Sequence, residues 1–175
     1  MCSGDGEGGE RKVLRLGVDT SVLVASVKRR GEKFHGSTLQ LSDIIKDRGL
    51  RAVASSLTLI ELPGALASTT MPVEKIFEVE SSIQENFNLY IPSYEEYIDK
   101  TVELMMEFRD LKRSLKIGAA DFHHLATSIK EKCEFFVTVD ENHLLRPEVK
   151  QALQKYVAIL NPEEALKTLM NSDPE

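Results

Sequence analysis

The chain has 175 residues, 42% hydrophobic and 29% charged, and its 22 Lys plus Arg against 28 Asp plus Glu leave a formal charge of −6. That length is one ordinary globular domain, able to bury roughly 70% of its unfolded surface without disulfides or a structural metal. Net negative charge excludes whole-surface attraction to nucleic acid or anionic membrane and leaves room only for a local basic groove. The two cysteines, Cys2 and Cys133, belong to no C-x-x-C or Cys/His cluster, which excludes a disulfide framework, a zinc finger and a thioredoxin-type site. A reducing, cytoplasmic setting is expected. The longest apolar runs, 22–27 and 135–139, fall far short of the roughly 20 residues of a membrane span.

The opening MCSGDGEGGE holds four glycines and three acids, without a basic segment followed by an apolar one. Residues 1–11 are therefore expected to form a disordered tail, and 12–172 a single domain. KVLRLGVDTSVLVASV then predicts a buried strand over 13–18, with Asp19 at its carboxyl end and a helix starting at Thr20. Lys28, Arg29 and Arg30 break the pattern before a helix over 37–48 that Gly49 stops. A strand over 50–54 leads to Ser55 and Ser56, which read as a helix N-cap, with Glu61 a turn further on and Pro63 disturbing the helix start. After Met71 and Pro72 a short helix runs to Ile83, and 87–91 reads as a third strand closed by Pro92. A longer helix over 93–113 carries the apolar stripe Ile98, Val102, Met105 and Met106. The break at Ile117 and Gly118 precedes a helix over 119–132, a strand over 134–139, a short helix over 147–155, a strand over 157–160 and a last helix from Pro162 to Met170. Alternating helices and short apolar strands define an α/β fold, a three-layer α/β/α sandwich with a mostly parallel five-stranded sheet.

Ligands of such sheets bind outside the carboxyl ends of the strands. Asp19 and Asp140 both stand where an apolar strand leaves the core. Ionised carboxylates there are costly unless paired, and two in one crevice repel each other, so a divalent cation resolves both problems. Glu61 and Asp121 can join them, Asp121 in the first turn of a helix whose dipole favours an anion. Four acids without a cysteine suit Mg²⁺ or Mn²⁺. Thr138, Thr20 and Ser21 are placed to hydrogen-bond the carboxylates or a water. His123 and His124 are adjacent and cannot share a helix face, so one of them packs or caps. Two basic runs, Lys28, Arg29 and Arg30, then Lys112, Arg113 and Lys116, flank these elements and are candidates for phosphate contacts.

VDTSVLVAS around Asp19, SSLTLIEL around Glu61, IGAADFHHLATS around Asp121 and FFVTVDENHL around Asp140 resemble, in order and context, the four motifs of the PIN-domain nucleases, including the VapC-type toxins of toxin–antitoxin pairs. The resemblance spans 13–160. It implies an endoribonuclease in which Asp19, Glu61, Asp121 and Asp140 hold Mg²⁺ or Mn²⁺ and activate a water against a phosphodiester. His124 matches a histidine common three residues after the third acid, with a structural or substrate-proximal role. The implied partners are an RNA substrate, a small antitoxin protein and a second copy in a homodimer, with no membrane. The alternative is a non-catalytic RNA-binding or scaffold module of the same fold, since fold does not establish activity. A haloacid-dehalogenase-type phosphatase needs D-x-D, and Ser21 stands at its third position; no G-x-G-x-x-G follows the first strand.

Overall fold

The computed structural model describes residues 13–172, so the expected tail over 1–11 lies outside the described residues. Four strands, β1 (Arg15–Val18), β2 (Arg51–Val53), β3 (Phe135–Val137) and β4 (Ala158–Leu160), form one sheet in the order β2-β1-β3-β4. Every neighbouring pair is parallel, with Leu16 beside Ala52, Val18 beside Val137 and Phe136 beside Ile159. Parallel neighbours need crossovers, and helices supply them: α1 (Thr20–Val27), α2 (His35–Asp47), α3 (Thr58–Ala67), α4 (Val73–Asn86), α5 (Ile98–Glu107), α6 (Arg109–Leu115), α7 (Ala119–Lys130), α8 (Pro147–Leu153) and α9 (Pro162–Asn171).

The pleat sorts the strand side chains into two cores. Leu16, Val18, Phe135 and Val137 pack with Leu23 of α1, Ile45 of α2, Leu62 of α3, Ile83 of α4 and Leu169 of α9. Phe136 and Ile159 point the other way, onto Leu104 of α5, Phe122 and Leu125 of α7 and Leu153 of α8. The result is the expected three-layer sandwich. Gly17 faces the second layer, where α7 lies so close that an added Cβ would sit 2.2 Å from Ser128 Oγ.

The sheet has four strands rather than the expected five. Residues 87–91 do run alongside β2, but they make a single parallel bridge between Tyr90 and Val53. Asn88 takes a left-handed φ of 43° and its side chain donates to Leu50 O at 2.7 Å, which turns the segment away from ladder geometry, and Pro92 brings no donor to extend it. The expected single helix over 93–113 is a 3-10 turn at Tyr94–Tyr97, then α5 and α6, which break at Phe108 where ψ reaches 32°. Its stripe is also only partly interior: Met105 packs on the second core, while Val102 and Met106 are 48% and 62% exposed. Pro63 leaves α3 continuous from Thr58 to Ala67. Among the described residues no helix is long and apolar enough to cross a membrane.

Candidate active site

β1 and β3 end side by side, so Asp19 and Thr138 leave the sheet together, and the Asp19 N–H donates to Val137 O at 2.9 Å. Asp19 is buried, 8% exposed. Its Oδ2 accepts hydrogen bonds from Ser21 Oγ at 2.6 Å and from Thr138 Oγ1 at 2.7 Å. Short donors of this kind replace the water that a carboxylate loses on burial.

Glu61 lies in the first turn of α3, directed at α1. Its Oε2 accepts from Thr20 Oγ1 at 2.6 Å and from His124 Nε2 at 2.9 Å. The other ring nitrogen of His124, Nδ1, is 2.8 Å from Ser55 Oγ, and Nε2 stands 3.9 Å from Asp19 Oδ1. The imidazole therefore ties α7 to α3 and to the end of β2. The hydrogen bond from His124 holds the Glu61 carboxyl below its usual range against the pull of its partial burial. Burial works to lower the His124 pKa, but the Glu61 hydrogen bond and the charges of Asp19, Glu61 and Asp121 outweigh it and raise the imidazole above its ordinary value.

Asp121 is the third residue of α7, and its Oδ2 accepts the Gly118 N–H at 2.7 Å across the helix start. Burial pushes its carboxyl pKa up, and the negative charges of Asp19 and Asp140 push it further, against the Gly118 hydrogen bond. Three carboxylates therefore share one electrostatic field. Asp140 follows β3 and is bound into its own turn: Oδ1 accepts from the backbone N–H groups of Asn142 at 3.0 Å and His143 at 3.1 Å, and Oδ2 is 2.9 Å from His143 Nδ1. Among the described residues no three His, Cys, Asp or Glu side chains already stand together as a ligand set for a metal. The donor chemistry nonetheless fits a hard divalent cation: the acids are oxygen donors, and their mutual repulsion, felt at Asp121, is what such a cation relieves.

The structure thus brings Asp19, Thr20, Ser21, Glu61, Asp121, His124, Thr138 and Asp140 to the carboxyl end of the sheet. Lys28, Arg29 and Arg30 are exposed beyond α1, which is about 12 Å long at 1.5 Å per residue, although Lys33 returns that loop to the Asp140 turn through Glu141 at 2.5 Å. Lys112 and Arg113 line a groove of about 420 Å³ with Val102, Met105, Met106 and Arg109. Lys116 ends α6 with a left-handed φ of 56°, two residues before Gly118. Ser55, Thr58 and His143 complete the site without having been singled out. Ser55 was legible only as a cap, and its Oγ does accept the Leu57 N–H at 3.3 Å. Thr58 Oγ1 lies 2.9 Å from Thr20 Oγ1. His143 stands three residues after Asp140, in the turn that Asp140 caps.

His123 faces away from the acids, as adjacency to His124 requires. It is 3% exposed, with Nδ1 2.9 Å from Thr101 Oγ1, and burial lowers its pKa.

An α/β sandwich with acids gathered at the carboxyl ends of a parallel sheet defines a class of site, and comparison with known proteins gives the family. The PIN domain model matches residues 17–148, a span that takes in all four acids. The chain belongs to the PIN-domain family, whose members are generally nucleases. It is similar in fold to VapBC2 from Rickettsia felis, a structure bound to a DNA fragment from their promoter, with TM-score 0.61 and 16% identity over 85% of this chain and 98% of that one. It is also similar to FitAcB from Neisseria gonorrhoeae, with TM-score 0.55 and 18% identity over 86% of this chain and 99% of that one. No curated protein matches the chain by sequence.

Proposed function

We propose that this protein is a Mg²⁺- or Mn²⁺-dependent endoribonuclease of the VapC toxin kind. The observation that carries the reading is the placement of Asp19 and Asp140 at the adjacent ends of β1 and β3, with Asp19 tied to Thr138, beside the Glu61–His124 pair. Asp19, Glu61, Asp121 and Asp140 would hold the cation, which when bound supplies a lowered water pKa and offsets charge on the phosphoryl oxygens. Ser21 and Thr138 orient Asp19 by donating to its Oδ2. The hydrogen bond from His124 keeps Glu61 ionised and fixes its carboxylate, which would serve as a ligand of the cation or as a hydrogen-bond acceptor for a water beside it. Lys28, Arg29, Arg30, Lys112, Arg113 and Lys116 are the candidates for phosphate contacts along the RNA. A small antitoxin partner, a homodimer and a cytoplasmic setting belong to the same reading. The likeness to VapBC2 and FitAcB supports the partner, and the exposed apolar side chains of Ile60, Phe77 and Met106 offer surface for an interface.

The test is thermal unfolding of the wild type and Asp19→Asn with increasing Mg²⁺ or Mn²⁺, followed by single-stranded RNA cleavage. Tenfold excess over Kd stabilises a native-only site by about 1.4 kcal/mol, a rise of about 3–6 °C in Tm. A rise in the wild type that the variant lacks, with cleavage that follows it, supports the reading. No rise and no cleavage in either protein refutes it in favour of a non-catalytic RNA-binding or scaffold module.

A further inference from the structure

The chain has four tyrosines, and three of them are engaged by neighbouring side chains. Tyr97 donates its hydroxyl to Glu131 and lies under Lys130. Tyr156 donates to Glu107 at 2.6 Å and carries Lys100 and Lys155 over its ring. Tyr90 has the Arg51 guanidinium 5.9 Å from its ring centre. Tyr94 differs: it is 47% exposed, its hydroxyl has no hydrogen bond among the described residues, and no cation covers its ring.

The ring of Tyr94 is nevertheless fixed. It stands 4.8 Å from the His123 ring, tilted by 43°. His123 is itself held by Thr101 at Nδ1 and lies 3.5 Å from Ser56 Oγ at Nε2. Ser56 follows Ser55, the partner of His124, and His123 precedes His124 on α7, so the brace of Tyr94 is one residue removed, along both chains, from the hydrogen bonds that reach Glu61. Tyr94 also follows the segment whose Tyr90 pairs with Val53, at the carboxyl end of β2, the same end of the sheet as Asp19.

We propose that Tyr94 is a stacking platform for one unpaired base of a single-stranded RNA, braced from behind by His123. An aromatic ring held on one side and open on the other is how proteins bind single strands independently of sequence. The net charge of −6 gives such a contact added weight, because little of the affinity can come from the surface as a whole. This deepens the nuclease reading and rests on it for the identity of the ligand.

The experiment is fluorescence anisotropy with a fluorescein-labelled single-stranded RNA of mixed sequence, in EDTA so that nothing is cleaved. The proteins are the wild type, Tyr94→Phe, Tyr94→Leu and Tyr94→Ala. Loss of one stacked base weakens binding by about 5- to 150-fold. Phe should keep the wild-type Kd within about twofold, while Leu and Ala both lose affinity by that factor. Leu still fills the space against His123, so a role in packing alone would be rescued by Leu, and that result overturns the proposal. Unchanged binding by Ala, or no binding by the wild type, also overturns it. The nuclease reading fails separately: a wild type that binds RNA through Tyr94 but cleaves nothing with Mg²⁺ or Mn²⁺ keeps the platform and loses the enzyme.

Discussion

Gly17→Ala tests how the site is assembled, because the glycine sets the distance between β1, which leads to Asp19, and α7, which carries Asp121 and His124. The new methyl would lie 2.2 Å from Ser128 Oγ, 2.7 Å from Ser128 Cβ and 2.9 Å from Phe136 Cδ2. Ordinary contact is about 3.5–4.0 Å, so strand and helix must separate by about 1 Å or more. Rotating Ser128 gives no relief, since its Cβ is itself too close. Overpacking of this order places the cost in the upper part of the usual range, about 2–3 kcal/mol. At about 2–4 °C per kcal/mol, Tm should fall by about 4–12 °C, and urea denaturation should give the matching loss. Ser128→Gly removes both of the shortest contacts. The cost of Gly17→Ala should therefore fall by about half or more in that background, a coupling that a double-mutant cycle reads directly. A penalty below about 0.5 kcal/mol, or the same penalty in both backgrounds, would refute the claim that close approach at Gly17 positions α7.

Asp19→Asn and Asp140→Asn should each abolish metal-dependent RNA cleavage while leaving the metal-free Tm unchanged or raised, and full activity in both variants would contradict the site. Removing the Asp19 charge should also lower the Asp121 pKa, which carbon-13 NMR of the carboxyl groups would show; an unchanged or higher value would mean that the two acids do not share a field. Because the folded-state pKa of His124 is raised, its contribution to stability is fully present below the unfolded value of 6.5 and is lost as pH rises through the folded one. His124→Asn should accordingly flatten the decline of the urea midpoint on the alkaline side of that value, and an identical decline in both proteins would remove His124 from the balance. Burial, helped by the charge of Glu131, pushes the Cys133 thiol up to about 12. Cys133 is only partly buried, so in a Cys2→Ser background the folded protein should react with a disulfide reagent near pH 8 more slowly than the unfolded one, and equal rates would count against the raised pKa.

The acids were legible because each has a local signature: Asp19 and Asp140 interrupt apolar runs, and Asp121 opens a helix after Ile117 and Gly118. What sequence could not supply was the company they keep. The Ser55–His124–Glu61 chain joins positions far apart along the sequence, and only the crossing of α7 over the sheet brings them together. Residues 87–91 were overread for the opposite reason. Their apolar, aromatic pattern is that of a strand, and the left-handed turn at Asn88, which decides otherwise, leaves no trace in hydrophobic periodicity. The stripe on α5 keeps helical spacing, but among the described residues only part of it is covered: Met105 packs on the second core, while Val102 and Met106 stay exposed. Local pattern reports what an element would bury and not whether a neighbour is there to bury it.

The weak pairing of Tyr90 has a consequence for how molecules of this protein meet one another. A sheet border offers its free N–H and C=O groups to any extended chain, and long flat borders polymerise. Here one border is a single bridge bent at Asn88 and followed by Pro92, and at the other β4 is three residues long before Asn161 and Pro162 turn into a helix. Neither offers a template of useful length. Among the described residues, any contact between copies or with a partner would fall to helical surfaces, where side chains choose the partner, and growth by strand addition is disfavoured.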